Sequence, residues 1–162
     1  QDPRSGMTVF VGIDPGFTGA IAFYWPDSNR VEVHDMPVYK NIKGKTELNL
    51  YELHEVLKPE GDEPHHVILE QVSAVRGNGV SSMFRFGQAY GATQMAIAAH
   101  KLPMTLVTPS KWKSYLGLNK DKGLSRSLAS QRWPAQADLF KRVKDDGRSE
   151  ACLLALYGKL TA

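Results

Sequence analysis

Residues 8–16 read Thr-Val-Phe-Val-Gly-Ile-Asp-Pro-Gly. The first part of this stretch is rich in β-branched and aromatic side chains, which is typical of a buried β-strand. The Pro-Gly pair that follows favours a turn, because proline has no amide donor and glycine tolerates turn conformations. The pattern therefore predicts a buried strand that ends at Asp14 and leaves this carboxylate at the edge of a sheet.

Two further runs predict an antiparallel meander with this first strand. Residues 20–25 read Ala-Ile-Ala-Phe-Tyr-Trp and are ended by Pro-Asp, and residues 30–36 alternate between apolar and polar side chains. The short, turn-rich connections are those of β-hairpins. Beyond Pro37 we expect a basic, mobile loop that carries Lys40, Lys43 and Lys45.

The rest of the chain alternates between helical and strand patterns. Helices are predicted at residues 47–58, 80–100, 110–116 and 122–132 and from Asp146 onward, and strands at residues 66–70 and 104–107. A strand, helix, strand order favours parallel pairing with the first strand. The order βββαβαβ thus predicts an α/β fold with a central five-stranded mixed sheet flanked by helices.

The composition predicts one globular domain. The chain has 162 residues, of which 42% are hydrophobic and 23% charged, and this excludes collagen-like and disordered chains. No apolar run approaches the ~18 residues that a membrane-spanning helix needs, so we expect no membrane partner. The single cysteine, Cys152, lies in an apolar run and is expected to be a buried thiol.

The chain start predicts no targeting segment. Residues 1–6 precede Met7 and are interpreted as a vector remnant, which leaves residues 7–162 as a single domain. We expect a cytoplasmic protein, with an organelle as the alternative location.

Charge is distributed unevenly along the chain. Residues 1–100 hold 8 Lys and Arg against 12 Asp and Glu, whereas residues 101–148 hold 11 against 4. A cationic segment of this kind favours a polyanionic partner, because each Lys or Arg that neutralises a phosphate releases condensed counterions. A solvated basic surface is the simpler alternative.

Four carboxylates are expected to meet at one edge of the sheet: Asp14, Glu70, Asp146 and Glu150. Two end neighbouring strands, and two lie four residues apart on one helix face. Carboxylate oxygens are the ligands that Mg²⁺ prefers, and two such ions would support phosphodiester hydrolysis without a protein nucleophile. As alternatives, Asp14 would form a turn, Glu70 would be a solvated strand end, and Asp145 or Asp146 would be a helix N-cap.

Five stretches hold these acids or lie between them in the sequence: GIDPGFTGA at 12–20, LEQV at 69–72, FGQAYG at 86–91, VTPSKWK at 107–113 and KDDGRSEA at 144–151. In this order they resemble the motifs of RuvC-like Holliday junction resolvases, the last stretch especially those of phage-type members. The resemblance implies a single nuclease domain over residues 7–162 with an RNase H-like fold, a homodimer and Mg²⁺-dependent cleavage of four-way DNA junctions by paired symmetric nicks. It favours a bacterium or a phage-infected host cell as the source. It implies that two Mg²⁺ ions, with Mn²⁺ as a substitute, are held by Asp14, Glu70, Asp146 and Glu150.

The chain departs from the family pattern at two points. Many members place the last two acids three residues apart, but here that position is Gly147, so Asp146 or Asp145 must fill the role. The bacterial enzymes also carry a phenylalanine shortly after the second acid, where this chain has Ser73. Substitutes for it would be Val75, Phe84 or Phe86, although the two phenylalanines are also candidates for the core.

Basic residues of the C-terminal half are expected to bind DNA phosphates, which position a duplex without reading its sequence. They are Lys111, Lys113, Lys120, Lys122, Arg126, Lys141, Arg142, Lys144 and Arg148. Arg148 lies between the last two acids and would hold a phosphate or cap a carboxylate. The small residues of the helix at 80–100 indicate either the dimer interface or close packing on the sheet.

Three other functions are considered. A nuclease of the same fold would act on other branched DNA or on RNA/DNA hybrids, and a junction-binding protein would not cut at all. Residues 14–19 also resemble the first phosphate loop of sugar-kinase and actin-type ATPases, but those folds need a second domain that this chain is too short to hold. We therefore expect no nucleotide cofactor.

Overall fold

The structure is a computed structural model that describes residues 8–74, 77–119 and 121–162. Three interpretations fall on residues outside these ranges: the vector remnant at 1–6 with a natural start at Met7, Val75 as a contact to the junction, and Lys120 as a contact to DNA. In the described part of the chain, no helix is long and apolar enough to cross a membrane.

A five-stranded mixed sheet forms the centre of the fold, as predicted. Its strands are β1 (Val9–Asp14), β2 (Ala20–Trp25), β3 (Arg30–Asp35), β6 (His65–Glu70) and β7 (Met104–Val107). The spatial order is β3-β2-β1-β6-β7. The β1–β2 and β2–β3 pairs are antiparallel, and the β1–β6 and β6–β7 pairs are parallel. The carboxyl ends of β1 and β6 therefore meet at one edge of the sheet.

The segment after Pro37 is a β-hairpin, so the expectation of a loop was wrong. Strands β4 (Val38–Lys40) and β5 (Thr46–Leu48) pair in antiparallel register. The side chain of Asn41 accepts hydrogen bonds from the amides of Lys43 and Lys45, at 2.9 and 3.0 Å. Local hydrogen bonds of this kind order a short turn. Composition alone does not reveal them, and it therefore predicts a loop.

Helices cover the sheet and have close to the predicted bounds. They are α1 (Leu50–Leu57), α2 (Val80–Ala99), α3 (Pro109–Tyr115), α4 (Lys122–Arg132) and α5 (Asp146–Leu160), with 3-10 turns at Pro134–Phe140 and Val143–Asp145. Helix α1 begins three residues later than predicted, because residues 46–48 pair in β5 and the Asn49 side chain accepts from the amide of Glu52.

Helix α5 packs directly on β1. A Cβ atom at Gly12 would overlap the carbonyl of Ala151 and the amide of Ala155. At the start of the helix, a Cβ at Gly147 would lie 2.5 Å from the carbonyl oxygen of Thr18. These close approaches place the N-terminus of α5 beside the carboxyl end of β1. The middle of α5 is buried, and Cys152 is the buried thiol that the sequence predicted.

Candidate active site

Two acids end neighbouring parallel strands. The β1–β6 register pairs Ile13 with Leu69. Asp14 and Glu70, the next residue of each strand, therefore lie side by side at the same edge of the sheet. The amide of Gly16 donates to Oδ1 of Asp14 across 3.4 Å, so this side chain also supports the turn after β1. Glu70 is only 8% exposed, so it is not the solvated strand end of the simpler interpretation.

Helix α5 brings two further acids to this edge. A cleft of about 500 Å³ is lined by Asp14, Asp146 and Glu150, together with Asp35 and Asp145. Asp146 is the first residue of α5, and Glu150 lies one turn further on the same face. Of the four predicted acids, three therefore line one cleft, and Glu70 lies next to Asp14 on the adjacent strand.

Glu70 is held by a buried indole. Nε1 of Trp112 donates to Oε2 of Glu70 across 2.8 Å, and Trp112 is fully buried. On the neighbouring helix α2, burial raises the pKa of Tyr90, and the negative charge of Glu70 raises it further. The hydrogen bond from Trp112 is charge-assisted and offsets part of the cost of burying the carboxylate of Glu70.

The acids on α5 are paired with cations from α3 and α4. Nζ of Lys113 lies 3.2 Å from Oε1 of Glu150 and also sits over the Trp112 ring, 5.4 Å from its centroid. Nε of Arg126 donates to Oδ1 of Asp146 across 3.0 Å. Consecutive residues of α3, Trp112 and Lys113, thus contact two different acids of the predicted site.

Asp145 has different partners from Asp146. It is fully buried, accepts from the Arg142 amide across 2.9 Å and from the Arg142 guanidinium across 2.8 Å, and lies 3.7 Å from Nη1 of Arg148. Burial raises the pKa of Asp145, but the hydrogen bonds from Arg142 and the charge of Arg148 outweigh it and leave the pKa below its ordinary value. Asp145 therefore anchors two arginines.

Arg148 connects the start of α5 to the end of β3. Its Nε and Nη2 atoms donate to the two carboxylate oxygens of Asp35 across 2.8 and 2.9 Å. The hydrogen bond from Arg148 lowers the pKa of Asp35 below its ordinary value of 3.8, although partial burial opposes this. Of the two roles considered for Arg148, the structure shows the carboxylate contact.

Several cations predicted to bind DNA are ion-paired within the protein. The pairs are Lys113–Glu150, Arg126–Asp146, Lys141–Asp138, Arg142–Asp145 and Arg148–Asp35. Lys111 and Lys144 are exposed, Lys144 lines the cleft, and Lys122 is the first residue of α4. Of the predicted cations, Arg142 and Lys144 therefore line the acidic cleft, and Lys113 and Arg126 contact its acids.

The carboxylate oxygens of the cleft suit a hard divalent cation, although the carboxylates lie far from one another. Within residues 8–74, 77–119 and 121–162, no three His, Cys, Asp or Glu side chains converge closely enough to hold a metal ion. The cleft is nevertheless lined by the carboxylates of Asp14, Asp146 and Glu150, which are oxygen ligands of the type that Mg²⁺ prefers. Lys113 and Arg126 partly neutralise this charge.

The residues considered as substitutes at position 73 differ in their surroundings. Phe86 lines the same pocket as Ser73, together with Gln71 and Val72. Phe84, in contrast, is 67% exposed on α2, so of the two interpretations considered for it the core position is wrong.

Two residues of the site were missed in the sequence. Asp35 ends β3 and pairs with Ala20, which itself pairs with Asp14, so Asp35 lies at the same edge as Asp14. Its position near the end of the alternating run at residues 30–36 was the signal in the sequence. Trp112 has no such signal, because an indole in a short helix is more often a simple core residue. Only the packing of α3 shows that its N–H meets Glu70.

Comparisons with known proteins support the fold. No protein-family model matches the chain, and no curated protein sequence matches it significantly. The structure of Thermus thermophilus RuvC in complex with a Holliday junction substrate is similar, with a TM-score of 0.53 at 17% identity over 96% of this chain and 97% of that chain. A second T. thermophilus RuvC structure has a TM-score of 0.53 at 20% identity over 94% and 96% of the two chains. The chain therefore has the RNase H-like α/β fold of RuvC over nearly its whole length, as its motifs predicted.

Proposed function

We propose that the protein is a divalent-metal-dependent endonuclease that resolves four-way DNA junctions by paired, symmetric nicks. One observation carries this proposal: acids from β1 and α5 line one cleft, beside the acid of β6, in the fold of RuvC. The T. thermophilus RuvC structure with a Holliday junction substrate supports branched DNA as the substrate class.

The carboxylates of Asp14, Asp146 and Glu150 would hold Mg²⁺, with Glu70 completing the set from β6. Mn²⁺ would substitute, because it also takes oxygen ligands. A pair of such ions, when bound, activates the attacking water and stabilises the leaving oxygen of a phosphodiester. Of the two aspartates at the start of α5, we assign the role of metal ligand to Asp146, because Asp145 is already buried against Arg142 and Arg148.

The remaining side chains of the site position these acids and the DNA. Trp112 fixes the carboxylate of Glu70, and the contact of Arg148 with Asp35 fixes the start of α5 against β3. Lys144, which is exposed and lines the cleft, and Lys111, which is exposed on α3, would contact phosphates of the bound DNA. Such contacts place the duplex without reading its bases, which suits an enzyme that selects a branched shape.

A homodimer would match the two-fold symmetry of a four-way junction, since one site cuts one strand. Helix α2 buries Ala89, Thr93 and Ile97 against the sheet. Its opposite face exposes Phe84 and Met95 and, between them, Gly87 and Gly91, where an added Cβ would meet no atom within 4 Å. The glycines thus do not serve packing on the sheet. We propose that a second copy of the chain covers this face.

A junction-binding protein without catalysis is the second candidate. The ion pairs of Glu150 with Lys113 and of Asp146 with Arg126 favour it, because both acids already have cationic partners. The two candidates differ in one observable property, metal-dependent cleavage.

The test is cleavage of an immobile four-way DNA junction, with each strand labelled in turn, in Mg²⁺ and in chelator. The wild type should make paired nicks only in Mg²⁺. Glu70→Gln should bind the junction without cutting it, and Glu55→Gln, which changes an exposed carboxylate on α1, should cut as the wild type does. Binding without cleavage in any divalent metal would instead establish the binding protein. Faster cleavage of forks or RNA/DNA hybrids would establish the other nuclease.

A further inference from the structure

The β4–β5 hairpin, residues 38–48, ends in an apolar side chain that nothing covers in the described part of the chain. Ile42 lies in the turn between the strands and is completely exposed. Single exposed apolar residues are common on protein surfaces. This one differs because the backbone that carries it is held firmly and because lysines surround it.

Hydrogen bonds order the tip of the hairpin. The amide of Asn41 donates to the carbonyl of Lys45 across 2.9 Å, and the amide of Gly44 donates to the carbonyl of Asn41 across 2.9 Å. Gly44 has a φ of 74°, which glycine adopts without strain. Together with the two bonds that the Asn41 side chain accepts, these contacts fix the direction in which Ile42 projects.

The base of the hairpin is tied to the body of the protein. The guanidinium of Arg85, on α2, donates to the carbonyl of Thr46. The same arginine lies over the ring of Phe17, 5.6 Å from its centroid. Tyr39 and Asn41 both donate to Glu47, across 2.6 and 3.0 Å. The contact of Arg85 with Thr46 thus joins the hairpin to α2.

The hairpin stands beside the acidic cleft. Val38, the first residue of β4, lines the cleft together with Asp14. Phe17 lines both this cleft and the adjoining pocket beneath Tyr39 and Leu48. A DNA strand with its phosphodiester in the cleft would therefore pass next to the hairpin.

The charge of the hairpin fits the same partner. Lys40, Lys43 and Lys45 are exposed around Ile42, and Glu47 is the only acid within residues 38–48, all of which the structure describes. An apolar side chain that inserts between two base pairs unstacks them. Lysines on both sides of it can neutralise the flanking phosphates and so hold the DNA in place.

We propose that this hairpin is a wedge that enters the branch point of the DNA. Ile42, four residues beyond the cleft-lining Val38, inserts between stacked base pairs, and the three lysines hold the flanking phosphates. The inference rests on the proposed function and extends it, because it names the element that distinguishes a branch from a continuous duplex. Insertion at a branch costs less than in a continuous duplex, since stacking is already interrupted there.

The test uses a four-way junction with 2-aminopurine at the branch point, bound in EDTA so that no strand is cut. The wild type should raise the 2-aminopurine fluorescence severalfold, because the base becomes unstacked. Ile42→Ala should lose most of this rise while its Kd for the junction changes less than about threefold. Ile42→Phe should retain the rise, and Leu160→Ala, which shortens an exposed apolar side chain at the end of α5, should behave as the wild type.

A second arm tests the lysines. Replacing Lys40, Lys43 and Lys45 together by Ala should lower the slope of log Kd against log salt by about 3, since each phosphate contact contributes about 1. A wild type that binds and cuts the junction without a fluorescence rise, or an Ile42→Ala variant with the full rise, would overturn the wedge and leave the nuclease intact. A wild type that does not bind the junction would overturn both.

Discussion

The indole N–H of Trp112 donates to Oε2 of Glu70 across 2.8 Å, between two side chains that are 42 positions apart in the chain and both buried. The contact joins the short helix α3 to the end of the parallel strand β6. A buried carboxylate needs such a partner, because removing it from water is otherwise costly. The orientation of Glu70 in the proposed site therefore depends on α3.

Trp112→Phe should lower both stability and cleavage. The substitution removes a hydrogen bond to a charged group, which contributes about 1.5–3 kcal/mol. The matched control is Trp133→Phe, because Trp133 is equally buried and its indole N–H has no hydrogen-bond partner among the described residues. Urea unfolding of both variants isolates the hydrogen bond from the change in volume. Equal losses of stability would show that the contact contributes nothing.

Asp145→Asn should mainly lower stability, whereas Asp146→Asn should mainly lower cleavage. Asp145 is buried against Arg142 and Arg148, so its variant should lose about 2 kcal/mol of unfolding free energy. Asp146 forms one partly exposed pair with Arg126, so its variant should lose less than about 1 kcal/mol but should abolish cleavage. Denaturation and junction cleavage measured on both proteins decide the assignment. Full activity of Asp146→Asn would return the ligand role to Asp145.

Stability should fall in acid partly through Asp35. Its pKa in the folded protein is lowered by the hydrogen bond from Arg148, so its stabilising effect is present above the ordinary value of 3.8 and is lost as the pH falls through the lower, folded value. Asp35→Asn should therefore have a flatter dependence of stability on pH below about pH 4. Urea midpoints between pH 7 and pH 3 measure this, with Asp27→Asn on the β2–β3 turn as the control. Parallel curves for the wild type and Asp35→Asn would contradict the prediction.

Lys113→Gln should bind Mn²⁺ more tightly than the wild type. The ammonium of Lys113 lies 3.2 Å from Glu150 and competes with a cation for this carboxylate. Removal of one charge at this distance contributes at least about 1 kcal/mol even in a medium like water, so affinity should rise at least about fivefold. Lys111→Gln removes the same charge from the exposed side of α3 and is the control. Calorimetric titration of the three proteins, without DNA, gives the comparison; unchanged affinity in Lys113→Gln would exclude the competition.

Phe84→Glu should convert the proposed dimer to a monomer. A charge on this apolar helix face cannot be buried against its symmetry-related copy without a partner. Tyr51→Glu places the same charge at another exposed aromatic position, on α1, and should leave the oligomeric state unchanged. Sedimentation analysis of the two variants distinguishes them. A wild type that is monomeric at all concentrations would remove the dimer from the proposal.

Much of the fold was predictable because its signals are local. The β-branched run before Asp14, the alternation over residues 30–36 and the start of the last helix at Asp146 agree with the structure. Each depends on the periodicity or turn chemistry of a few adjacent residues. The hairpin after Pro37 was missed because its order comes from the hydrogen bonds of one side chain, Asn41, which composition does not reveal.

The sequence by itself determined the order of the strands and helices and the types of the acids at their ends, because these follow from local pattern and from motifs in a fixed order. The tertiary structure alone decided which cation meets which acid. Arg148 reaches Asp35 across 113 positions, and Trp112 reaches Glu70 only because α3 packs at the end of β6. Partners of this kind depend on how helices pack against the sheet, and packing is set by the shapes of many side chains at once.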